Sequence, residues 1–418
     1  MSRNSYQRAH REHRALDSNG SGQRRRGTRI GPRARQIGRQ RKRLWVARTS
    51  LFVFSVLAGV CILAGVSLAQ SLAIPSTDDT SMRVAEWARD HGLGPLVTAA
   101  ETVQLSLHPA TEGGTPDSSL LAGLAATGPS AHDSSSTPEL AVPTQVIRPA
   151  ITPPVSPALP HEGTFVAARK DAAGSLIQYT YVRPDAIHTS YLAGIVLMDH
   201  STRFVLHPGA QEPGSTTTWT EPSRITPHEM GGLLATFNGG FKLADAQGGY
   251  FDHGRTAGQL VPGAASLVIY NDGHATVGTW GDGISLTSDV AFVRQNLRPL
   301  MSHGVVSNDL AQHVQSNWGT TVGGGAAVWR SGLGVTANGD LVYVSGDALT
   351  VQSLADLLHR AGSTDAMQLD INQSWVSFMY YTGAADTLRP HKLGPFQRPV
   401  TRYMQTSTRD FIAVYEPA

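Results

Sequence analysis

No charged side chain occurs between Arg48 and Asp78, and inside that interval Leu51 to Ala69 is a nineteen-residue, almost wholly apolar run. In a helix such a run covers about 28 Å, close to the ~30 Å thickness of a bilayer's hydrocarbon core. A single segment satisfies its backbone polar groups in lipid only as a helix. The run therefore predicts one transmembrane helix over residues 49–73. The alternative is a cleaved signal peptide, for which Ser67-Leu68-Ala69 offers a small-residue cleavage site. A retained anchor is favoured, because the apolar run exceeds the usual ~7–15 residue core of a signal and the leader before it is long.

The charges on either side of the run are very unequal. Residues 1–48 hold 15 Lys/Arg and 2 Asp/Glu, while residues 49–418 hold 19 and 30, so a net of +13 and one of −11 sum to the overall +2. Positive charge on the N-terminal flank predicts a cytoplasmic tail and an extracytoplasmic C-terminal body, that is, a single-pass cell-membrane protein. The tail, residues 1–48, is too poor in apolar residues to offset its ordering entropy and reads as disordered. Its basic clusters suit anionic lipid headgroups. Tyr6 and Trp45 lie at the tail's ends rather than among those clusters, which argues against nucleic acid as a partner. A lone cysteine, Cys61, excludes an internal disulfide framework.

Beyond the span, residues 74–108 read as a short helical juxtamembrane segment broken at Gly92-Leu93-Gly94-Pro95. Residues 109–160 carry 10 of the chain's 24 prolines and read as a semi-extended linker holding the body off the membrane. The body, residues 161–418, is rich in strand signals, including Ser175 to Val182 and Leu233 to Phe237. Asn271-Asp272-Gly273 and Asn338-Gly339 each predict a hairpin turn between two strands. One clear helix follows Thr350 as N-cap, with Val351, Leu354, Leu357 and Leu358 on one face and Gly362 as the stop. A short strand, Ala366 to Asp370, comes next. The expected class is α+β, with strand-rich mixed sheets, a few flanking helices and one preceding transmembrane helix. A strand–helix–strand crossover delivers Asp370 at a strand's C-terminal end, where ligand sites tend to gather.

Three stretches carry possible chemistry. Asp370-Ile371-Asn372-Gln373-Ser374-Trp375 places four polar side chains after a buried-looking strand; it serves either a general acid/base or an Asx-turn. Asn238-Gly239-Gly240-Phe241-Lys242 allows a close backbone approach beside a cation, or is an ordinary turn. Arg330 can grip a phosphate or carboxylate in bidentate fashion, or pair with a core acid. The 16 histidines show no metal-ligand spacing, and His253, His274 and His303 read as polar surface residues.

In this order and spacing the three stretches resemble the phosphodiester glycosidase domain family. The family's N-G-G-F-F segment is similar to Asn238 to Lys242. Its R-T-A-x-G strand is similar to Arg330-Ser331-Gly332-Leu333-Gly334. Its D-G-G-G-S loop is similar to Asp370 to Ser374, with Ile371, Asn372 and Gln373 in place of the glycines. The basic tail, single span and Trp87 segment also look like membrane-anchored actinobacterial members. The resemblance implies a hydrolase of sugar-1-phosphodiester linkages, with cell-envelope glycopolymers as a possible setting. In that reading Asp370, Arg330 and Lys242 are catalytic, and Asn238, Gly239, Gly240, Asn372, Ser374 and Trp375 bind the phosphosugar or envelope glycan. A second carboxylate is expected, with Asp252 and Asp347 as candidates. No cofactor is predicted, and a divalent metal is left open. The alternative is a non-catalytic glycan- or protein-binding module on the same fold.

Overall fold

The computed structural model describes residues 32–73, 79–107, 109–127, 148–172, 174–214, 219–312, 315–319 and 327–418. The first 31 residues of the basic tail and residues 128–147 of the proline-rich segment lie outside the described residues. The chain forms two units, one ending at Ser67 and one running from Leu68 to Ala418.

A single helix runs Pro32–Ala73, and its Trp45–Ala73 portion is long and apolar enough to cross a membrane. The helix also takes in residues 32–48, which composition alone assigned to a disordered tail. Once an apolar helix is nucleated, adding a residue at its end fixes few further dihedrals, and Lys, Arg and Gln are good helix formers.

In the second unit, helices Thr80–Ala88 and Gly94–Leu107 flank a break at Gly92, whose φ is +79°. The described ends of the proline-rich segment pack on the body instead of standing off it. Gly113 N–H donates to the Ile187 carbonyl at 2.7 Å, and Ile151 N–H to the Gly163 carbonyl at 3.0 Å. Leu121, in the helix Ser119–Thr127, enters the core.

Three sheets make the body. The eight-stranded sheet has the order Val166–Lys170, Ser175–Val182, Ala193–Met198, Leu341–Leu349, Val328–Thr336, Ser363–Gln368, Pro299–Ser302, Val305–Val306. Every neighbouring pair in it is antiparallel. Leu341–Leu349 and Ser363–Gln368 both run antiparallel to the strand between them, so they are parallel to each other. Helix Val351–Arg360 makes that crossover. Its N-cap is Thr350, whose hydroxyl and that of Ser353 cap each other's backbone N–H at 2.9 Å.

Period-two alternation distributes the eight-stranded sheet's side chains. Val342 and Val344 pack with Leu354, Leu357 and Leu358 of the crossover helix. Tyr343, Leu333 and Met367 enter a core shared with the other two sheets. In the six-stranded sheet, Ala265–Tyr270 and Ala275–Trp280 form the hairpin around Asn271-Asp272-Gly273. The five-stranded sheet is ordered Arg389–Lys392, Phe378–Thr382, Leu233–Asn238, Phe411–Tyr415, Arg203–His207.

Candidate functional site

Strand ends from two sheets meet at the site. Ser363–Gln368 leads into Asp370, Leu233–Asn238 leads into Gly239-Gly240, and Arg409-Asp410 immediately precede Phe411–Tyr415. Ser331 joins the sheets: its N–H and hydroxyl both donate to the Asp370 carbonyl, at 2.9 and 3.1 Å, and it accepts from the Asn238 amide at 3.0 Å.

Asp370 is buried. Its Oδ1 accepts the Asn372 N–H at 2.9 Å, and its Oδ2 faces Arg409 Nη2 at 3.4 Å. Burial raises its carboxyl above the ordinary value, against the opposing pull of Arg409. Glu212 is a second carboxylate in the field of Arg409, also raised chiefly by burial. Arg409 donates to the Gly240 carbonyl at 3.2 Å, and its buried Nε has no hydrogen-bond partner. The Asp370, Glu86, Glu212 and Asp410 charges lift its guanidinium above the usual value despite its burial.

Asp410 pairs with Arg294 at 2.7 Å, both buried. Removing one member of such a pair strands a charge, so Asp410→Asn should cost about 3–5 kcal/mol in denaturant unfolding. The two glycines serve this packing. A Cβ on Gly239 would fall 2.4 Å from Asp410 Oδ2, and one on Gly240 would fall 2.9 Å from the Asn296 side chain. Gly239→Ala should therefore destabilise the fold by about 2–4 kcal/mol, read as a lower denaturation midpoint with unchanged slope.

The residues singled out from sequence divide accordingly. Asp370, Asn238, Gly239 and Gly240 are brought together. Asn238 is a fixture of the framework, its Oδ1 accepting from Tyr343 OH at 2.8 Å and from Ser377 N–H at 3.1 Å. Lys242 points its ammonium at Glu86 and Asp90, each at 2.6 Å. Arg330 does not join the group. It shares the helix-facing side of its strand with Gly332, where a Cβ would meet Leu354 and Leu358. There its Nε donates to the Leu349 carbonyl at 2.8 Å and its Nη1 to Gln368 at 3.0 Å, and burial pushes its guanidinium down to about 9. Ser331, one residue on, faces the site instead.

Asn372 and Ser374 form turns, with Asn372 Oδ1 accepting the Ser374 N–H at 2.9 Å. Trp375 is buried beneath guanidinium groups of Arg398, Arg402 and Arg409, 4.7, 5.3 and 5.1 Å from its ring centroid. It supports those arginines rather than presenting a sugar-stacking face. Asp252 is committed to Thr220 N–H and His253 Nδ1, both at 2.7 Å, and Asp347 Oδ1 accepts the Ala348 N–H at 2.7 Å. Arg409 and Glu212 carry no local motif. The one available signal was the density of arginine near the C-terminus, at Arg398, Arg402 and Arg409.

The cationic side of the site is covered. Helix Thr80–Ala88 lays Glu86, only 5% exposed, against Lys242 at 2.6 Å and Arg409 Nη1 at 3.8 Å. Burial by itself would raise the Glu86 carboxyl, but Arg409, Lys242 and Arg89 together hold it below the ordinary value. A separate open cavity lined by Arg169, Gly232, Leu233 and Thr382 lies at the opposite end of the Leu233–Asn238 strand. Among the described residues two trios of possible metal ligands occur, Asp199–His200–Asp340 and His207–Glu221–Glu229, and neither includes Asp370.

No family model matches the chain, and no curated protein matches it. Solved structures do. One is the catalytic domain of zebrafish N-acetylglucosamine-1-phosphodiester alpha-N-acetylglucosaminidase, auto-inhibited by its pro-peptide. It is 15% identical over 61% of this chain and 88% of that chain, with a TM-score of 0.39. Another is a hypothetical protein from Synechocystis, 13% identical over 57% of this chain and 62% of that chain, with a TM-score of 0.31.

Proposed function

We propose that the Leu68–Ala418 unit is a hydrolase of sugar-1-phosphodiester linkages. In this reading it is held on the outer side of the cell membrane by the Trp45–Ala73 helix and kept closed by its own juxtamembrane helix. The observation that carries the proposal is the placement of two carboxyl groups of raised pKa, Asp370 and Glu212, around Arg409, with Lys242 beside them. Glycoside cleavage needs one carboxyl to protonate the leaving oxygen and a second to attack or to activate water. A phosphodiester also needs cations, which Arg409 and Lys242 supply. Glu86 then occupies the position of the substrate's anion.

The resemblance of the Asn238, Arg330 and Asp370 stretches to phosphodiester glycosidases supports the same chemistry, with Arg409 taking the role that the sequence assigned to Arg330. The glycan-binding alternative draws on the loop from Ile371 to Gln373, whose side chains replace glycines. The full chain carrying Glu86→Ala, assayed against a panel of glycosyl phosphodiesters, separates the two readings. Turnover is expected. Glycan binding without turnover across the panel would favour the binder.

A further inference from the structure

A second cluster of ionisable groups, sharing no residue with the Asp370–Arg409 site, stands at the edge of the five-stranded sheet. His207 ends the strand Arg203–His207 and pairs in register with Phe411. Its ring stacks on that phenylalanine at 4.6 Å between centroids. His207 Nδ1 lies 2.9 Å from the Pro222 carbonyl and so must be the protonated nitrogen. That tautomer leaves a bare lone pair on Nε2. Nε2 is fully buried, has no hydrogen-bond partner, and lies 3.8 Å from Glu229 Oε1. Burial depresses the His207 pKa, against the opposing pull of the Pro222 carbonyl and the Glu229 charge.

Glu229 is oriented by a different set of bonds. It sits in the turn Pro227–Met230, where its Oε2 accepts the Thr226 N–H at 2.7 Å and the Thr226 hydroxyl at 2.5 Å. Its other oxygen is thereby turned toward His207. Glu221 completes the group, and one ligand atom from each of the three lies within 4.8 Å of the others. Burial and the Glu229 and Asp252 charges raise the Glu221 carboxyl, and His253 pulls against them. The other trio lacks this character, because Arg148 already occupies Asp340.

We propose that His207, Glu221 and Glu229 bind one zinc ion. One imidazole nitrogen and two carboxylate oxygens form a donor set that zinc accepts at about 2.0–2.2 Å, with a fourth position left for water. The hard, all-oxygen preference of calcium argues against that ion. An imidazole whose far nitrogen is pinned to a carbonyl is the usual posture of a metal-bound histidine. Glu221, half-buried, is the member that completes the site, and the ion would then tie the segment around Pro222 to the sheet edge.

The test uses the full chain in detergent, stripped with chelator and titrated with zinc chloride by calorimetry, with calcium chloride as control. One tight equivalent of zinc is expected, with a zinc-dependent rise in melting temperature and no response to calcium. Glu221→Gln, which leaves His207 and the Thr226 bonds intact, should weaken that equivalent at least tenfold and remove the rise. Absence of a tight zinc equivalent in the unaltered chain, or equal affinity in Glu221→Gln, would overturn the assignment. Weak binding by other histidines appears equally in both proteins and cancels in the comparison.

Discussion

Asp370→Asn, introduced into a chain already freed by Glu86→Ala, is expected to lower kcat on a glycosyl phosphodiester by about 10²–10⁴-fold, the range typical of a lost general acid. The fold should survive, because the asparagine oxygen still accepts the Asn372 N–H that Asp370 Oδ1 accepts at 2.9 Å, and the Glu212 and Asp410 charges still act on Arg409. The pH dependence carries a definite sign. Burial holds the Asp370 carboxyl above 3.8 in the folded chain, so an acid role predicts a rate that falls as pH rises through that raised value. The residual rate of the variant should lack this limb.

Stability follows the same linkage. A carboxyl raised on folding favours the native state only while protonated, so its contribution is present at low pH. It is lost as pH rises from the unfolded value through the folded one. The Tm of Asp370→Asn relative to its parent should therefore climb across that window. Unchanged turnover in the variant would remove Asp370 from the mechanism.

Glu86→Ala alone is expected to raise kcat/KM by about 10- to 150-fold. The charge-assisted contact of Glu86 with Lys242 at 2.6 Å is the one to be broken. Hydrogen bonds to charged groups contribute about 1.5–3 kcal/mol, which sets that range. The cations hold the Glu86 carboxyl below 4.5, so the grip is complete above that pH and fails as pH falls through the lower, folded-state value. Acidification should thus narrow the gap in activity between Glu86→Ala and the unaltered chain. Activity that stays equal or falls in Glu86→Ala would mean that the juxtamembrane helix does not obstruct substrate.

Elements governed by local periodicity were legible in the sequence. The strand Ser175–Val182, the break at Gly92, the Asn-Asp-Gly hairpin and the helix capped by Thr350 all stand where their patterns predict. The site was legible only in part. Asp370 and the paired glycines announce themselves through a strand end and a turn. Arg330 lies on the helix-facing side of its strand, a placement the sequence could not give, because a strand alternates faces every residue and nothing local says which face meets the other sheets. Arg409 carries no local motif, because its partners Asp370, Gly240 and Glu86 are distant in the chain.

By itself the sequence determined the apolar span, the charge imbalance around it, the strand-rich class of the body and several of its strands. These depend on hydropathy, turn chemistry and period, all local properties. Only the tertiary structure decided which cation meets Asp370, why Gly239 and Gly240 have no side chain, and that Glu86 covers the site. Those outcomes depend on which strand ends converge, and convergence is set by three sheets packing on one core rather than by any short stretch of chain.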